Sequence, residues 1–432
     1  MSVDFDLGNN LGVAWPLGAT RKHRAAHSIR AADLDALVAL LPENAAYLSG
    51  EYNFIARHWR LPGLHAFALG ADGSGFAVSP DFGADPLRTQ CFASATYPLW
   101  TEAIDVRGVA GNNVAARIRA VRLGGPVWRP AQFEESEVFT RIAEAIRHVA
   151  PQALRVGLDT TLLPHGVLSM LAQLLPRVSF VLADKIFEDL RAIKDDDEVE
   201  HLRLACDLAE SGLLASIRAV ATGRTARELD NIYSSSIMQR AAQLRRFSQF
   251  REAEGNAQIG IGDERPQSVM AETTIKFDMQ VDVAGYHSDI GRTVVIEPTI
   301  EQRDIAQSST EALQLMLAAI RPGVPFAEVY KIGQQKMFHE GFSNYSRGHL
   351  GHSVGLTQNF EEAPFIAPNE RRPIVENMVL SIEVPYYVYG VGAFQFERML
   401  LVTGRGGELF DRLPLALDRA EWDSVILANG TP

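Results

Sequence analysis

Two aspartates stand eleven residues apart in the apolar stretch FDMQVDVAGYHSDIGRT, residues 277–293. The flanking runs TIKFDMQVDV and DIGRTVVI have high β propensity, and AGYHS between them has the composition of a turn. Asp278 and Asp289 can therefore lie side by side on adjacent antiparallel strands. Like charges at such positions repel, and burying each ion costs several kcal/mol unless a cation compensates. A divalent metal ion is the simplest compensation, so the pair indicates a metal site.

Further residues of metal-binding type follow towards the carboxyl end. GHLGHSVGL (348–356) carries His349 and His352 among glycines, where an imidazole can approach an ion without crowding. Glu383 in MVLSIEVPYY and Glu397 in AFQFERMLLVT each interrupt an apolar, strand-like run. A single acid in a strand is usually solvated, and a single histidine is usually not a ligand. The occurrence of all these residues in one part of the chain favours a shared metal site.

The elements that must position these residues form a mixed helix and strand region. In RAIKDDDEVEHLRLACDLAESGLLASIRAV (191–220), three aspartates precede apolar residues at intervals of three and four, which predicts a long amphipathic helix. Helical patterns in RELDNIYSSSIMQRAAQL and IEQRDIAQSSTEALQLMLAAI flank the aspartate pair. Strand patterns dominate residues 270–298 and 378–403. We therefore predict a second domain over residues 191–432.

The first part of the chain has a different pattern. Strand and helix patterns alternate up to residue 190, as in LRVGLDTTLLPHGVLSMLAQLLPRVSFVLAD, which predicts an α/β layer domain over residues 31–190. Residues 1–30 are polar and end in the basic cluster RKHRAAHSIR. We predict that residues 1–30 are an irregular extension.

Composition excludes several classes of partner. The 432 residues carry a net charge of −12, which argues against nucleic acid and against an anionic membrane surface. Cys91 and Cys206 are far apart and form no CxxC motif, so we expect two reduced thiols rather than a disulfide or a thiolate metal site. The sequence has no run of eighteen apolar residues, and its start is acidic, unlike a signal peptide. We predict a cytoplasmic protein.

The motifs together resemble a known superfamily. DMQVDVAGYHSDIGRT, GHSVGL, MVLSIEVPYY and FQFERMLLVT, in this order, resemble the pita-bread metallopeptidases, which include methionine aminopeptidase, prolidase, aminopeptidase P and creatinase. They are most similar to the Xaa-Pro peptidase branch. LPENAAYLSG resembles the start of the creatinase/prolidase amino-terminal domain, and the resemblance extends over about residues 30–425. It implies an α/β amino-terminal domain followed by an α+β pita-bread catalytic domain.

The resemblance also implies roles for the five residues. Asp278 would bind one metal ion, His352 and Glu383 the second, and Asp289 and Glu397 would bridge both. Two divalent ions would balance the four carboxylates and leave room for a bridging water. Oxygen-rich ligation favours manganese, with cobalt, zinc or iron as alternatives. The resemblance further implies a homodimer.

The family pattern is incomplete in this chain. The peptidases carry a histidine seventeen or eighteen residues before the first aspartate, where this chain has Ile261 or Gly260. They carry another seven residues after the metal-binding histidine, where this chain has Asn359. His349 is the candidate to replace one of them.

With these differences, His349 and Glu383 are the candidate catalytic residues. His349, Asn359 and Arg398 are the candidates for binding substrate.

Three functions remain open at this point. The first is an Xaa-Pro dipeptidase or aminopeptidase acting on short peptides. The second is a non-peptide hydrolase or lyase on the same fold, of the creatinase, ectoine hydrolase or dimethylsulfoniopropionate lyase type, which the missing histidines favour. The third is a non-catalytic binding protein on the same scaffold. The intact set of five ligands argues against the third function.

Overall fold

The computed structural model gives two compact units, Met1–Leu190 and Arg191–Pro432. Among the described residues, no helix is both long and apolar enough to cross a bilayer. Cys206 is a buried free thiol, and Cys91 lies outside the described residues. The structure describes residues 12–14, 19–59, 61–82, 92–122, 128–161, 163–246, 250–262, 266–357 and 361–425.

The first unit is built on a mixed six-stranded sheet. The unit contains six strands in this sheet and two strands apart from it. In chain order they are β1 (Gly12–Ala14), β2 (Ala36–Ala39), β3 (Glu51–Asn53), β4 (Ala66–Gly70), β5 (Gly75–Pro80), β6 (Ala93–Tyr97), β7 (Arg155–Leu158) and β8 (Ser179–Leu182). The sheet order is β6-β5-β4-β2-β7-β8, and β1 pairs with β3 apart from it. The pairs β2–β7, β7–β8 and β5–β6 are parallel, and the remaining pairs of the sheet are antiparallel.

Helices cover the sheet of the first unit. They are α1 (Ala19–Ala31), α2 (Pro42–Ser49), α3 (Phe54–Trp59), α4 (Val114–Val121), α5 (Glu135–Val149), α6 (His165–Leu174) and α7 (Asp184–Ala192). Helix α5 buries Val138, Ile142 and Ile146, which recur at four-residue spacing and therefore form one apolar face. This face joins the core formed with β2, β4 and β5.

Residues 1–30 were predicted to be irregular. This prediction is wrong for residues 19–30, which belong to helix α1. Ala25, Ala26 and Ile29 are buried on one side of this helix. Arg21 is also fully buried, and its guanidinium carbon lies 5.1 Å from the centroid of the Tyr47 ring. The basic composition of the segment suggested a solvated surface, but an arginine can be buried when an aromatic ring covers it.

The second unit is built on a ten-stranded antiparallel sheet. Its central order is β10-β11-β13-β19-β16-β14-β15, with β9 and β12 paired to β11 and β20 paired to β19. β17 and β18 form a separate hairpin. The strands are β9 (Phe250–Glu254), β10 (Ala257–Ile259), β11 (Ile275–Val283), β12 (Tyr286–His287), β13 (Ile290–Val294), β14 (Gly351–Ser353), β15 (Glu362–Phe365), β16 (Val379–Glu383), β17 (Tyr386–Val388), β18 (Gly392–Phe394), β19 (Glu397–Thr403) and β20 (Gly406–Leu409).

Four long helices accompany this sheet: α8 (Asp196–Arg218), α9 (Ala226–Gln243), α10 (Ile300–Ala319) and α11 (Phe326–His339). A 3₁₀ helix follows at Arg419–Ser424. The predicted long amphipathic helix is confirmed as α8. Asp195 and Glu198 form a capping box at its start, which satisfies backbone N–H groups that have no partner inside the helix.

The predicted turn between the two aspartates contains a short strand. Ala284 and Gly285 both have positive φ, 53° and 94°, as a two-residue hairpin turn requires. Val283 then pairs with Tyr286 in β12, and the chain continues through Asp289 into β13. The register places Asp278 opposite Gly291, so Asp289 lies diagonally across from Asp278 rather than directly beside it.

Candidate metal centre

Cross-strand pairing brings the predicted ligands together on one sheet. Asp278 lies opposite Gly291, Gly291 lies opposite Glu397, and Glu397 lies opposite Glu383. His352 is on β14, the strand on the other side of β16. Directly paired residues face the same side of a sheet, so the acidic side chains share one face. Strands β11, β14, β16 and β19, together with Asp289 immediately before β13, thus contribute to one site.

Asp289, His352 and Glu397 form the most compact group. All three residues are buried, and one ligand atom from each lies within 4.8 Å of the others. Nε2 of His352 is 3.7 Å from Oδ2 of Asp289 and 3.9 Å from Oε1 of Glu397. These separations are too long for hydrogen bonds. They suit ligands that share one ion, because metal–ligand bonds are about 2.0 to 2.2 Å.

The proton of His352 is placed by its backbone neighbour. Nδ1 of His352 lies 3.0 Å from the carbonyl oxygen of Ser353. A carbonyl oxygen only accepts, so Nδ1 carries the proton and donates it there. The ring then points Nε2 at Asp289 and Glu397, so Nε2 would be the nitrogen that binds a metal ion. A metal-binding histidine is held by this kind of hydrogen bond at its other nitrogen.

The two carboxylates of this group are electrostatically costly without a cation. Burial raises the pKa of Asp289 well above its ordinary value, and the charge of Glu397 raises it further. Burial likewise raises the pKa of Glu397, with Glu383 adding to the effect. Oδ1 of Asp289 is buried and has no hydrogen-bond partner among the described residues. The donor set therefore fits a divalent cation.

The other two predicted carboxylates have cationic partners. Nζ of Lys276 lies 3.2 Å from Oδ2 of Asp278, and the Lys276 side chain is only 5% exposed. Nη2 of Arg347 donates to Oε1 of Glu383 at 3.0 Å. Gln395 donates from Nε2 to Oε2 of Glu383 at 3.0 Å and to Oε2 of Glu397 at 3.2 Å.

Lys276, Arg347 and Gln395 were not predicted from the sequence. Lys276 could have been found, since residues two apart on a strand share a face. Arg347 belongs to a loop, where spacing gives no such signal.

His349 connects two acids beside the metal centre. Its Nε2 lies 2.9 Å from Oε2 of Glu361, and its Nδ1 lies 3.4 Å from Oε1 of Glu383. The hydrogen bond with Glu361 raises the pKa of His349. Burial opposes ionisation of Glu361, but the same hydrogen bond and nearby histidines leave its pKa lower than usual. The structure thus brings His349 to Glu383, the two predicted catalytic residues.

Arg398 was predicted to bind substrate, but the structure places its side chain elsewhere. Successive side chains of a strand point to opposite faces, so Arg398 faces away from the side occupied by Glu397. Its Nε donates to Oδ2 of the fully buried Asp411 at 3.0 Å, and its Nη2 donates to the Asp411 carbonyl oxygen at 2.7 Å. The prediction that Arg398 binds substrate is wrong because its guanidinium is part of a buried ion pair. Asn359 lies outside the described residues.

A cavity of about 340 Å³ opens beside the metal centre. Its wall includes Asp278, Asp289 and His352, together with Glu254 and Glu361. His287 of β12 also lines it, a residue that the sequence analysis assigned to a turn. The volume falls in the range of small-molecule sites. Five of its fourteen lining residues are acidic and none is lysine or arginine, which favours a ligand with a positively charged group.

The fold and the metal centre together define a class of metal-dependent hydrolase. The model of the creatinase/prolidase N-terminal domain matches residues 21–193, and that of metallopeptidase family M24 matches residues 200–404. Together the two models match most of the chain and identify a creatinase/prolidase N-terminal domain followed by a domain of metallopeptidase family M24, a family that uses divalent metal ions. The predicted class of enzyme, a metallopeptidase-type hydrolase, is confirmed.

Individual relatives are distant in sequence. The Xaa-Pro dipeptidase of Pyrococcus horikoshii is 23% identical over 278 residues, covering 64% of this chain and 76% of the relative. The Xaa-Pro dipeptidase of Pyrococcus furiosus is 26% identical over 230 residues, covering 53% of this chain and 66% of the relative.

Solved structures share the fold at low identity. The prolidase of Pyrococcus horikoshii aligns with a TM-score of 0.70 and 17% identity, over 92% of this chain and 99% of that chain. An Xaa-Pro dipeptidase from Bacillus anthracis aligns with a TM-score of 0.71 and 15% identity over the same shares. The predicted fold class is confirmed: an α/β amino-terminal domain of creatinase/prolidase type precedes a pita-bread catalytic domain.

Proposed function

We propose that this chain is a divalent-metal-dependent hydrolase that cleaves the bond before proline in short peptides. The observation that carries this proposal is the buried group of Asp289, His352 and Glu397. It combines two carboxylates, a histidine lone pair directed at them and a carboxylate oxygen without a hydrogen-bond partner among the described residues. The preference for proline is taken from the relatives named Xaa-Pro dipeptidase.

The proposed metal-binding residues are the five from the sequence: Asp278, Asp289, His352, Glu383 and Glu397. Oxygen-rich ligation with a single imidazole favours manganese over cobalt, zinc or iron. A bound divalent ion supplies a Lewis acid that polarises the peptide carbonyl and makes water more acidic. A homodimer, as the resemblance implies, is part of the same proposal.

The protein's own residues would then handle the proton. Glu383 accepts a proton from the attacking water as general base. His349 is the candidate to pass that proton outward. Its Nε2 lies 2.9 Å from Oε2 of Glu361, whereas its Nδ1, 3.4 Å from Oε1 of Glu383, makes no hydrogen bond among the described residues and would have to close on Glu383 for the transfer. Glu361 lines the cavity, so this route ends where the leaving amine would need a proton.

The size and charge of the cavity are consistent with a short peptide with a free amino terminus as the substrate. Its volume of about 340 Å³ suits a ligand the size of a dipeptide. Glu254 contributes a carboxylate to its wall, which would attract the ammonium group of such a substrate.

The test compares matched dipeptides on manganese-loaded protein. We expect hydrolysis of several Xaa-Pro dipeptides and little hydrolysis of the corresponding Xaa-Ala dipeptides. Asp289→Ala should abolish this activity. Asp304→Ala, which changes an exposed aspartate on α10, should leave the activity intact and serves as the matched control. Metal binding without cleavage of any peptide would contradict peptidase activity and favour a small non-peptide substrate. Absence of metal binding would contradict the proposal altogether.

A further inference from the structure

The metal centre already contains two protein cations. The ammonium group of Lys276 lies 3.2 Å from Asp278, and the guanidinium of Arg347 lies 3.0 Å from Glu383. The side chains of Lys276 and Glu383 are each only 5% exposed, so solvent screens these pairs weakly. Each pair is therefore close to electrically neutral within the protein. Two of the four predicted carboxylates are already compensated before any metal binds.

Within the part of the chain that the structure describes, the remaining two carboxylates, Asp289 and Glu397, have no lysine or arginine partner. Among the described residues, Asp289 and Glu397 accept hydrogen bonds from the uncharged side chains of Gln280, Ser381 and Gln395. Nε2 of His352 faces both carboxylates, at 3.7 Å from Asp289 and 3.9 Å from Glu397. When both carboxylates are ionised, their charge of −2 is balanced by one divalent ion, whereas four uncompensated carboxylates would require two.

We infer that this site takes one divalent ion, held by Asp289, His352 and Glu397, and that the ammonium group of Lys276 replaces the second ion at Asp278. The inference rests on the proposed metal dependence. It changes the number of ions implied by the family resemblance from two to one, and it removes Asp278 and Glu383 from the proposed ligands. An ion bound to Asp278 would lie next to the ammonium group, and the two positive charges would repel each other.

Lys276 has little room to move away from Asp278. Its side chain is buried on β11, and Nζ lies 5.7 Å from the centroid of the Tyr387 ring. Asp278 and Lys276 are two residues apart on one strand, so both project from the same face. A buried ammonium group that lost its carboxylate partner to a metal ion would be left without compensation, which is costly. Metal binding at Asp278 is therefore unfavourable for both residues of the pair: the ion would be repelled by the Lys276 ammonium group, and Lys276 would lose its carboxylate partner.

The experiment counts bound manganese rather than measuring activity. Metal-free protein is dialysed to equilibrium against Mn²⁺, and bound metal is measured by elemental analysis. We expect one equivalent for the wild type and two for Lys276→Met, which keeps the length of the side chain but removes its charge. Lys276→Met combined with Asp278→Asn should return to one equivalent, because the second ion needs the Asp278 carboxylate. Lys331→Met, on the exposed side of α11, is the matched control and should bind one equivalent.

Electron paramagnetic resonance provides a second, independent readout. One bound Mn²⁺ should give the spectrum of an isolated ion in the wild type, and Lys276→Met should give the signal of two coupled ions. Lys276→Gln is measured alongside as a second neutral variant, so that a folding defect in one variant does not decide the result.

Each outcome has a defined meaning. Two equivalents in the wild type would overturn the inference while leaving the proposed metal dependence intact. One equivalent in the wild type and in both folded Lys276 variants would overturn the assignment of Lys276 as the group that excludes a second ion. No bound metal in any protein would contradict the proposed function itself.

Discussion

Asp289 is the residue on which the proposed metal site most depends. Its buried carboxylate is destabilised by desolvation and by Glu397, so in the metal-free protein this side chain lowers stability. We expect Asp289→Asn to lose bound manganese and to reduce kcat/KM by at least about 100-fold. Thermal unfolding in the presence of a chelator should occur at the same or a higher temperature than in the wild type. Retention of manganese at wild-type affinity would contradict the proposed role of Asp289.

Arg398 illustrates the opposite case, a charged residue near the site with a structural role. Arg398→Met removes one of the two arginines bonded to the buried Asp411, while Arg292 remains in contact with it at 2.5 Å. We expect the free energy of unfolding to fall by about 1 to 3 kcal/mol. KM and kcat for an Xaa-Pro dipeptide should not change. Urea unfolding and steady-state kinetics provide the two measurements, and a raised KM with unchanged stability would return Arg398 to the substrate site.

Strand β13 positions the site through a residue with no side chain. A Cβ atom at Gly291 would lie 2.5 Å from Cγ of Gln395 and 3.1 Å from Oε2 of Glu397. The strand can therefore pass beside Glu397 only because this position is glycine. We expect Gly291→Ala to displace Gln395 and Glu397, and so to weaken manganese binding at least about 10-fold.

A glycine elsewhere provides the control for this substitution. A Cβ atom at Gly166, in helix α6, would meet no atom within 4 Å. Gly166→Ala should leave metal binding unchanged and stabilise the helix by up to about 1 kcal/mol. Metal titration of both variants separates a local clash from a general effect of adding a methyl group. Equal metal affinity for Gly291→Ala and the wild type would show that β13 does not constrain Glu397.

Asp159 makes the stability of the whole chain depend on pH. Burial raises its pKa to about 7, even though Leu40, Leu41 and Asn44 donate hydrogen bonds to its carboxylate. The unfolded chain would titrate near the ordinary value of about 3.9. Between these values the folded state holds a proton that the unfolded state has released. The contribution of Asp159 to stability therefore falls as pH rises through this window and is lost above pH of about 7.

The corresponding test replaces Asp159 by asparagine, which stays neutral at every pH. The unfolding free energy of Asp159→Asn, relative to the wild type, should rise between pH 5 and pH 8, by at most about 3 kcal/mol. Asp184→Asn is the control. Despite partial burial, hydrogen bonds from Thr160 and Thr161 lower the pKa of Asp184, so its titration lies below this window. A constant difference for Asp159→Asn across the same range would show that Asp159 is ionised throughout.

Local patterns in the sequence determined much of the fold. The spacing of apolar residues after the aspartates at 195–197 was sufficient to predict helix α8, because helix periodicity is a local property. Residue type and order within the motifs were sufficient to predict the family and the group of acids and histidines that meet on the sheet. Helix α1 was missed, because the burial of Arg21 depends on the distant ring of Tyr47.

Only the tertiary structure shows which carboxylates of the site are paired with a lysine or arginine and which would need a metal ion to balance their charge. The sequence predicted four carboxylates and hence two ions, but it could not show that Arg347 reaches Glu383 or that Arg398 reaches Asp411. Such pairings join segments far apart in the chain and depend on strand register and loop path. Electrostatic energy depends on distances of a few ångströms in a weakly screened interior. The number of ions is therefore a property of the folded arrangement and not of the list of ligands.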